Sequence, residues 1–428
     1  MAGAAGGPGV ESVAEGAVVC HATAVAPTNI AVVKYWGKRD GRLNLPINSS
    51  LSVTLDTADL RTVTSACASR AFSADRVWLN GKEQDVAGNA RLQNVFREVR
   101  ARARDVLDAQ GRVVVSAAEW ASLRVHVVSE NSFPTAAGLA SSASGYACLT
   151  KALATLMGCA EGVELSDVAR MGSGSASRSL FGGFVRWSMG ERADGADSLA
   201  SQVAPLEHWP EMHALICVVS DHKKTVTSTG GMADSVRTSE LLQHRASAVV
   251  PQRMLAMERA VAARDFAAFA ELTIKDSNSF HATCLDTYPP IKYMNDVSHA
   301  IAQAIHALNA EHARAVACYT YDAGPNAVLF LLEQDVPLVM DRVLQLFGPA
   351  THEEPALAAA EPLFVRGRTQ LPRAAAAAKA APGAAHRGAV RYLIHTRVGP
   401  GARVSHDDSV CLLDKLTGMP RASSSAQR

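Results

Sequence analysis

Apolar and polar positions change period many times along this chain, and each change marks an element. Residues 18–25 read as a strand, residues 51–57 alternate cleanly, and strands continue at 60–66 and 76–79. Asn80-Gly81 follows as a hairpin turn signal. Residues 89–106 switch to helical spacing with a basic face, and residues 123–128 return to strand. In residues 146–157, Leu149, Leu153, Leu156 and Met157 fall on one helical face. A short helix is expected to end at 166–171, with Ser166 as its cap. Strands are expected at 184–187, 213–219, 315–321, 327–332 and 390–398. Helices are expected at 235–248, 252–275 and 291–310, with a polar break at 276–284. No internal repeat is visible.

This pattern divides the chain. Residues 1–16 are small and polar and are expected to be disordered. Pro205 and Pro210 suggest a boundary between domains at 17–205 and 206–400. Residues 373–387 are low in complexity and read as a surface insertion, and 401–428 as a loose tail.

At 428 residues, 48% hydrophobic and 19% charged, the chain fits an ordinary globular protein of two domains. Its formal net charge of +1 gives no basic field that would draw it to nucleic acid or a membrane surface. The eight cysteines are scattered without a Cys-x-x-Cys pair, which argues against a disulfide framework or a zinc site. No run approaches the ~20 apolar residues of a membrane span. The first residues lack the basic and apolar regions of a signal peptide, and no peroxisomal signal ends the chain. The expectation is a cytoplasmic protein.

Between the 123–128 strand and the 146–157 helix lies Pro134-Thr135-Ala136-Ala137-Gly138-Leu139-Ala140-Ser141-Ser142-Ala143-Ser144-Gly145. Small residues let a backbone close around a ligand, and the first amides of a helix attract anions. The same composition also suits a tight strand-to-helix connection, and the stretch is neither a Walker A loop nor a dinucleotide fingerprint. A second such stretch, Gly172-Ser173-Gly174-Ser175-Ala176-Ser177-Arg178, carries one arginine, suited to gripping phosphate with two hydrogen bonds. Lys34-Tyr35-Trp36-Gly37-Lys38-Arg39-Asp40 is either a solvated hairpin tip or the floor of a polyanion site. Arg91, in the first turn of its helix, can project into a cleft. Asp322, before Ala323-Gly324-Pro325-Asn326, is a turn residue or a catalytic carboxylate. Lys223 and Lys224 are either solvated or directed at a transferring phosphate.

Four stretches together (35–40, 134–143, 172–178 and 321–327) closely resemble the mevalonate diphosphate decarboxylases. That family lies within the superfamily of galactokinase, homoserine kinase, mevalonate kinase and phosphomevalonate kinase. The resemblance runs from about residue 22 to 332 and resumes near 392–400. It implies a two-domain α+β fold: an N-terminal domain like ribosomal protein S5 domain 2, a ferredoxin-like C-terminal domain, and an active site in the cleft between them. It further implies ATP-dependent decarboxylation of (R)-5-diphosphomevalonate to isopentenyl diphosphate, with ATP and Mg²⁺ required and a homodimer as the assembly. No Mg²⁺ ligand from the protein is assigned, the ion being carried by ATP.

Carried over by position, the family's substrate contacts fall on Tyr35, Trp36, Gly37, Lys38, Arg91, Ser173, Gly174, Ser175, Ala176, Ser177, Arg178 and Thr229. The ATP loop falls on Pro134, Ala136, Ala137, Gly138, Leu139, Ala140, Ser141, Ser142 and Ser144. Asp322, Asn29, Arg178 and Lys38 take the catalytic positions. The chain departs from the pattern at 373–387, at Ser177 where relatives often have Cys, and in reading Thr-Ser-Thr at 227–229. Three rival readings are weighed: a kinase of the same superfamily, a nucleic-acid-binding module sharing the N-terminal fold, and a catalytically dead relative, against which every motif position is occupied. The net charge speaks against the second.

Overall fold

The computed structural model describes residues 18–133, 141–160, 162, 164–220, 225–349, 362–379, 381 and 384–421. The expectations for residues 1–16, for Pro134 to Ala140 of the serine-rich stretch, for Lys223 and Lys224, and for 422–428 lie outside the described residues.

In the N-terminal domain six strands form one sheet, in the order Arg403–Ser405, Cys20–Pro27, Arg61–Ser69, Arg124–Asn131, Arg76–Leu79 and Lys82–Gln84. The helices Ala90–Arg100 and Ser141–Leu156 cover one face, burying Leu92, Val95, Phe96 and Val99 from the first and Ala147, Leu149, Leu153 and Leu156 from the second. Asn89 caps the first helix by accepting from the amides of Arg91 and Leu92, which places Arg91 at the helix start. A second, antiparallel sheet runs Ala200–Ala204, Phe184–Trp187, Ser50–Thr54 and Asn29–Val33.

The C-terminal domain is built on a sheet in the order Ala317–Tyr321, Ala327–Leu332, Met212–Val218, Tyr392–Arg397, Leu363–Gly367 and Leu371–Pro372. The helices Val250–Ala263 and Phe266–Asp286 lie on one face, and Asp296–Glu311 and Val336–Phe347 on the other. The two domains share a hydrophobic core. Ile30, Val32, Leu51, Val53 and Phe184 of the second sheet meet Met254, Met257 and Phe269, and through them Ala214, Ile216 and Phe330. Main-chain bonds add a seam: Asp56 N–H donates to the Arg397 carbonyl at 2.9 Å and Gly399 N–H to that of Thr54 at 2.9 Å. The architecture is the expected two-domain α+β arrangement.

Several local expectations are corrected. The long helix expected at 252–275 breaks after Ala263, where Arg264 takes a left-handed conformation (φ 52°) and Asp265 caps the next helix at the Ala268 amide. That next helix runs unbroken to Asp286, so 276–284 is helical, with polar side chains buried against neighbouring main chain. The helix expected from 235 starts earlier, as Ser228–Thr238 capped by Thr227. Ser166 lies within its helix, its hydroxyl accepting from the Ala200 amide at 3.0 Å instead of capping.

Residues 373–379 are a helix that buries Arg373 and Ala376 against the C-terminal core, not a loose surface run. Residues 401–421 are no loose tail. Arg403–Ser405 pairs antiparallel with Cys20–Pro27, and Cys411 and Leu413 pack with Val18, Cys67, Trp78 and Val128. An edge strand is a stable place to dock such a segment because its free main-chain groups become paired.

Leu413 is 1% exposed and Leu416 is 73% exposed. Leu413→Ala should therefore cost about 2–5 kcal/mol in unfolding free energy. Leu416→Ala should change it by less than about 0.5 kcal/mol. Equal denaturation midpoints for the two variants would refute a packed C-terminal segment.

Candidate active site

The cleft between the domains is organised by the residues that follow the buried strand Asn29–Val33. Lys34 is buried and its main chain is gripped on both sides. Its N–H donates to Asp276 Oδ1 at 2.7 Å, and its carbonyl accepts from Asn48 Nδ2 at 3.0 Å and Arg245 at 3.3 Å. Its ammonium lies 2.6 Å from Asp322 Oδ1, with side-chain exposures of 3% for the lysine and 32% for the aspartate. The lysine is thus desolvated while the carboxylate keeps an open face. Asp322 sits where the strand Ala317–Tyr321 leaves the sheet, in a turn pinned by Asn326, whose side-chain oxygen accepts from the Val219 and Ser220 amides.

The next residues point to alternate sides. Tyr35 packs edge-on against Trp187 (centroids 4.8 Å apart), and its buried hydroxyl has no hydrogen-bond partner among the described residues. Burial raises its pKa well above the ordinary phenol value against the opposing charges of Arg91 and Arg178, so it is a neutral donor. Trp36 goes the other way, into a cluster with Phe280 and Tyr293, its Nε1 donating to Ser235 Oγ at 2.9 Å. Trp36 therefore anchors the segment in the C-terminal domain. It does not serve as an open aromatic floor, because its ring is 3% exposed and its N–H is already used. Gly37 has φ 95°, and a Cβ there would stand 2.6 Å from Ile47, so glycine alone fits this turn.

Three cations converge beside Tyr35, and among the described residues none forms an ion pair. Lys38 Nζ donates to Asn44 Oδ1 at 2.6 Å, and Asn44 is fixed by the Arg170 and Met171 carbonyls. Burial, with the charge of Arg91, lowers the Lys38 pKa to about 8. Arg91 crosses the cleft to Thr229 Oγ1 at 2.7 Å. Arg178 is buried on hydroxyls and an amide: Ser50 Oγ, Ser52 Oγ at 3.0 Å and Asn29 Oδ1 at 3.3 Å. Burial lowers its pKa to about 10, with Asp322 and Tyr35 opposing, so it stays charged at neutral pH. Asn29 in turn donates to Ser179 Oγ at 2.8 Å and the Ser175 carbonyl at 3.0 Å, tying the arginine to its own loop.

That loop joins the helices Ser166–Gly172 and Ala176–Ser179. A Cβ on Gly174 would lie 2.7 Å from Trp187 and 3.0 Å from Tyr35, so the glycine lets the loop close on both rings. Ser173 Oγ lies 3.3 Å from both Ser142 Oγ and Ser175 Oγ, which brings the second small-residue stretch against the start of the helix Ser141–Leu156. Ala176 and Ser177 are buried, the Ser177 hydroxyl donating to the Gly174 carbonyl at 2.8 Å. Ser144 is turned to the sheet, where it accepts from Thr62 at 2.7 Å, while Ser142 is exposed at the helix start.

The structure thus brings together Asn29, Tyr35, Lys38, Arg91, Arg178, Thr229, Asp322 and the 173–175 loop, and it draws Trp36, Ala176, Ser177 and Ser144 inward. Sequence reasoning missed Asp276, Arg245, Ser50 and Ser52, and it placed Lys34 in the candidate polyanion floor without its pairing to Asp322. Lys34 carried a visible signal, a lysine directly after an unbroken apolar strand. Asp276 is fully buried. Burial alone would raise its pKa, but Arg245, the Lys34 amide and Arg253 hold it below the ordinary carboxylate value. His281, one turn along, is driven by burial and by Lys34 to about 3, so it is neutral.

Residues 26–200 match the diphosphomevalonate decarboxylase-like N-terminal domain, and residues 214–405 the mevalonate 5-diphosphate decarboxylase C-terminal domain. The diphosphomevalonate decarboxylase of Bos taurus is 50% identical over 410 residues, spanning 93% of this chain and 97% of its own. A crystal structure of mevalonate 5-diphosphate decarboxylase superposes with a TM-score of 0.75 at 42% identity, over 93% of this chain and 100% of the other. A structure of MDDEF in complex with MVAPP, AMPPCP and magnesium superposes with a TM-score of 0.67 at 28% identity, over 90% of this chain and 99% of the other. The chain belongs to the diphosphomevalonate decarboxylase family.

Proposed function

We propose that this protein catalyses the ATP-dependent decarboxylation of (R)-5-diphosphomevalonate to isopentenyl diphosphate, releasing ADP, phosphate and carbon dioxide. The observation that carries the reading is the pairing of two unlike charge environments in one cleft. Among the described residues Lys38, Arg91 and Arg178 have no carboxylate partner, and Asp322 beside them keeps an open face. A diphosphate satisfies the first set, and a carboxylate aimed into the cleft suits an alcohol proton.

The substrate's tertiary hydroxyl is a poor leaving group, so its phosphorylation precedes loss of phosphate and carbon dioxide. Asp322 takes or orients the hydroxyl proton, with Lys34 fixing the carboxylate's direction. Lys38, Arg91 and Arg178 hold the diphosphate, and the Tyr35 hydroxyl donates to it. Held at that end, the molecule presents its hydroxyl to the nucleotide, so that positioning supplies much of the rate. As phosphate leaves, positive charge grows at the tertiary carbon, and the Asp322 carboxylate, its proton having passed to the departing phosphate, stabilises it. The exposed Ser142 at a helix N-terminus, with Ser173 beside it, supports nucleotide phosphates there. Their hydroxyls are hard oxygen donors that fit Mg²⁺ arriving on ATP, an ion that would neutralise phosphate charge at that end. In this reading the enzyme is a cytoplasmic homodimer that supplies the isoprenoid and sterol route. Light scattering on the purified protein tests the dimer.

The deciding assay measures ADP and carbon dioxide together, with diphosphomevalonate as substrate and mevalonate and phosphomevalonate as controls. ADP without carbon dioxide would point to a superfamily kinase instead. Asp322→Asn should lower kcat about a thousand-fold while both dissociation constants stay within a few-fold. Near-normal carbon dioxide release would remove Asp322 from the mechanism.

The lowered pKa of Lys38 gives a pH signature. The free enzyme carries this ammonium below about pH 8 and loses it above. A bound diphosphate favours the protonated form, so affinity should fall as pH rises through that value. Titration calorimetry should show this weakening in the parent protein and none in Lys38→Arg. Weakening that persists in Lys38→Arg would assign the transition to another group.

A further inference from the structure

The separation of Lys34 and Asp322 has to be set by something, since the two residues come from different domains and stand 288 positions apart. The helix Phe266–Asp286 reaches both. Asp276 accepts the Lys34 amide at 2.7 Å, and Ser277, the next residue, accepts the Tyr321 amide at 3.0 Å through its hydroxyl. Tyr321 immediately precedes Asp322. The side chains of Asp276 and Ser277 are fully buried. We propose that Asp276 and Ser277 are positioning residues that set the Lys34–Asp322 contact by holding the main chain beside each member of the pair.

Three features of the surroundings support a jig in preference to ordinary helix packing. First, the grip on Lys34 is two-sided. Arg245 donates to Asp276 Oδ1 at 2.7 Å and also to the Lys34 carbonyl at 3.3 Å, so the aspartate and arginine enclose one peptide unit on each side of the lysine. Second, Asp276 is itself immobilised, because Arg253 donates to its other oxygen at 3.0 Å and Arg245 reaches that oxygen at 3.1 Å. Arg245 opens a π-helical turn, Arg245–Val249, between the helices Glu240–His244 and Val250–Ala263. Such turns re-aim a side chain that regular helical spacing would direct elsewhere. Third, Tyr321 lies on the edge strand of its sheet, where an outward N–H has no strand partner and the Ser277 hydroxyl supplies one. Asn278 then accepts from the Tyr319 hydroxyl at 3.2 Å on the same strand. Consecutive helical side chains thus fix the lysine strand and the aspartate strand against one rigid element.

The inference rests on the proposed role of Asp322, and the variants separate the two. Neither Asp276 nor Ser277 bonds Lys38, Arg91 or Arg178, so a loosened jig should lower kcat and spare binding. Ser277→Ala should reduce kcat about ten-fold and Asp276→Asn about a hundred-fold, since a displacement near 1 Å is enough for losses of that size. The dissociation constants for diphosphomevalonate and for a non-hydrolysable ATP analogue should stay within about three-fold in both.

Asp276 neutralises two arginines, so Asp276→Asn can fail to fold. Ser277→Ala changes no charge and decides the matter in that case. In a Lys34→Met background the kcat losses from Ser277→Ala and Asp276→Asn should largely vanish, because residues acting through one group are non-additive. Full kcat in folded Ser277→Ala would overturn the jig, as would a loss expressed in KM alone or one fully additive with Lys34→Met. Near-normal turnover in Asp322→Asn, assayed alongside, would overturn the reading of the site itself and this one with it.

Discussion

The contact between Lys34 and Asp322 is the constraint around which the cleft is arranged. A lysine ammonium that is 3% exposed cannot stand alone, since an unpaired buried charge costs several kcal/mol. It meets a carboxylate only if the N-terminal strand that carries it and the C-terminal turn that carries Asp322 are held together. The shared core and the main-chain seam at 54–56 and 397–399 do this at the scale of domains, and the Asp276 network does it at the scale of one peptide. The pair is asymmetric in a useful way. The lysine is spent on structure, while the carboxylate, one-third exposed, remains available to a ligand.

The side of the cleft proposed to hold the diphosphate follows the opposite logic. Among the described residues Arg178 is buried without an acid and the Tyr35 hydroxyl without a partner, and Lys38 is partly desolvated and pushed down to about 8. Each of these raises the free energy of the ligand-free protein, because a buried polar group without its partner forfeits the solvation it had. A polyanion meets all three at once. Its binding offsets a cost already present in the fold, and the hydroxyls of Ser50 and Ser52 keep the arginine aimed until it arrives.

Much of this was legible in the sequence where motifs are local. Glycines at 37 and 174, the lone Arg178 in a serine loop and Asp322 ahead of Ala-Gly-Pro-Asn all mark themselves by composition, and each proves to have a steric or electrostatic reason. What stayed hidden depends on distant contacts. Asp276 reads as the start of a polar break, because nothing within ten residues shows that its partners are Lys34, 242 positions away, and Arg245, 31 away. Trp36 beside a lysine suggested an aromatic floor, but in the irregular segment after the strand Asn29–Val33 it turns away from Tyr35, into Phe280 and Tyr293 of the other domain. Ser144 and Ser177 look like their neighbours in the sequence. Only the helical phase separates an inward hydroxyl from an outward one, and in a run of small residues no apolar stripe sets that phase.

The same reasoning bears on how the cleft responds to its ligand. Arg91 starts a helix of the N-terminal domain and spans the cleft to the Thr229 hydroxyl, near the start of a helix of the C-terminal domain. A neutral hydroxyl is a weaker partner for a guanidinium than a phosphate oxygen, which binds it with a charge-assisted and often two-pronged bond. Under the proposed reading a polyanion would compete for Arg91 on favourable terms, and Thr229, released or shared, would be left beside the bound phosphate as a donor. The Lys34–Asp322 pair faces no such competition, since its lysine is sealed from solvent and gripped through its own main chain. The cleft thus joins a contact that ligand exchange can remodel to one that it cannot, and a carboxylate required to face one hydroxyl gains from standing on the fixed side.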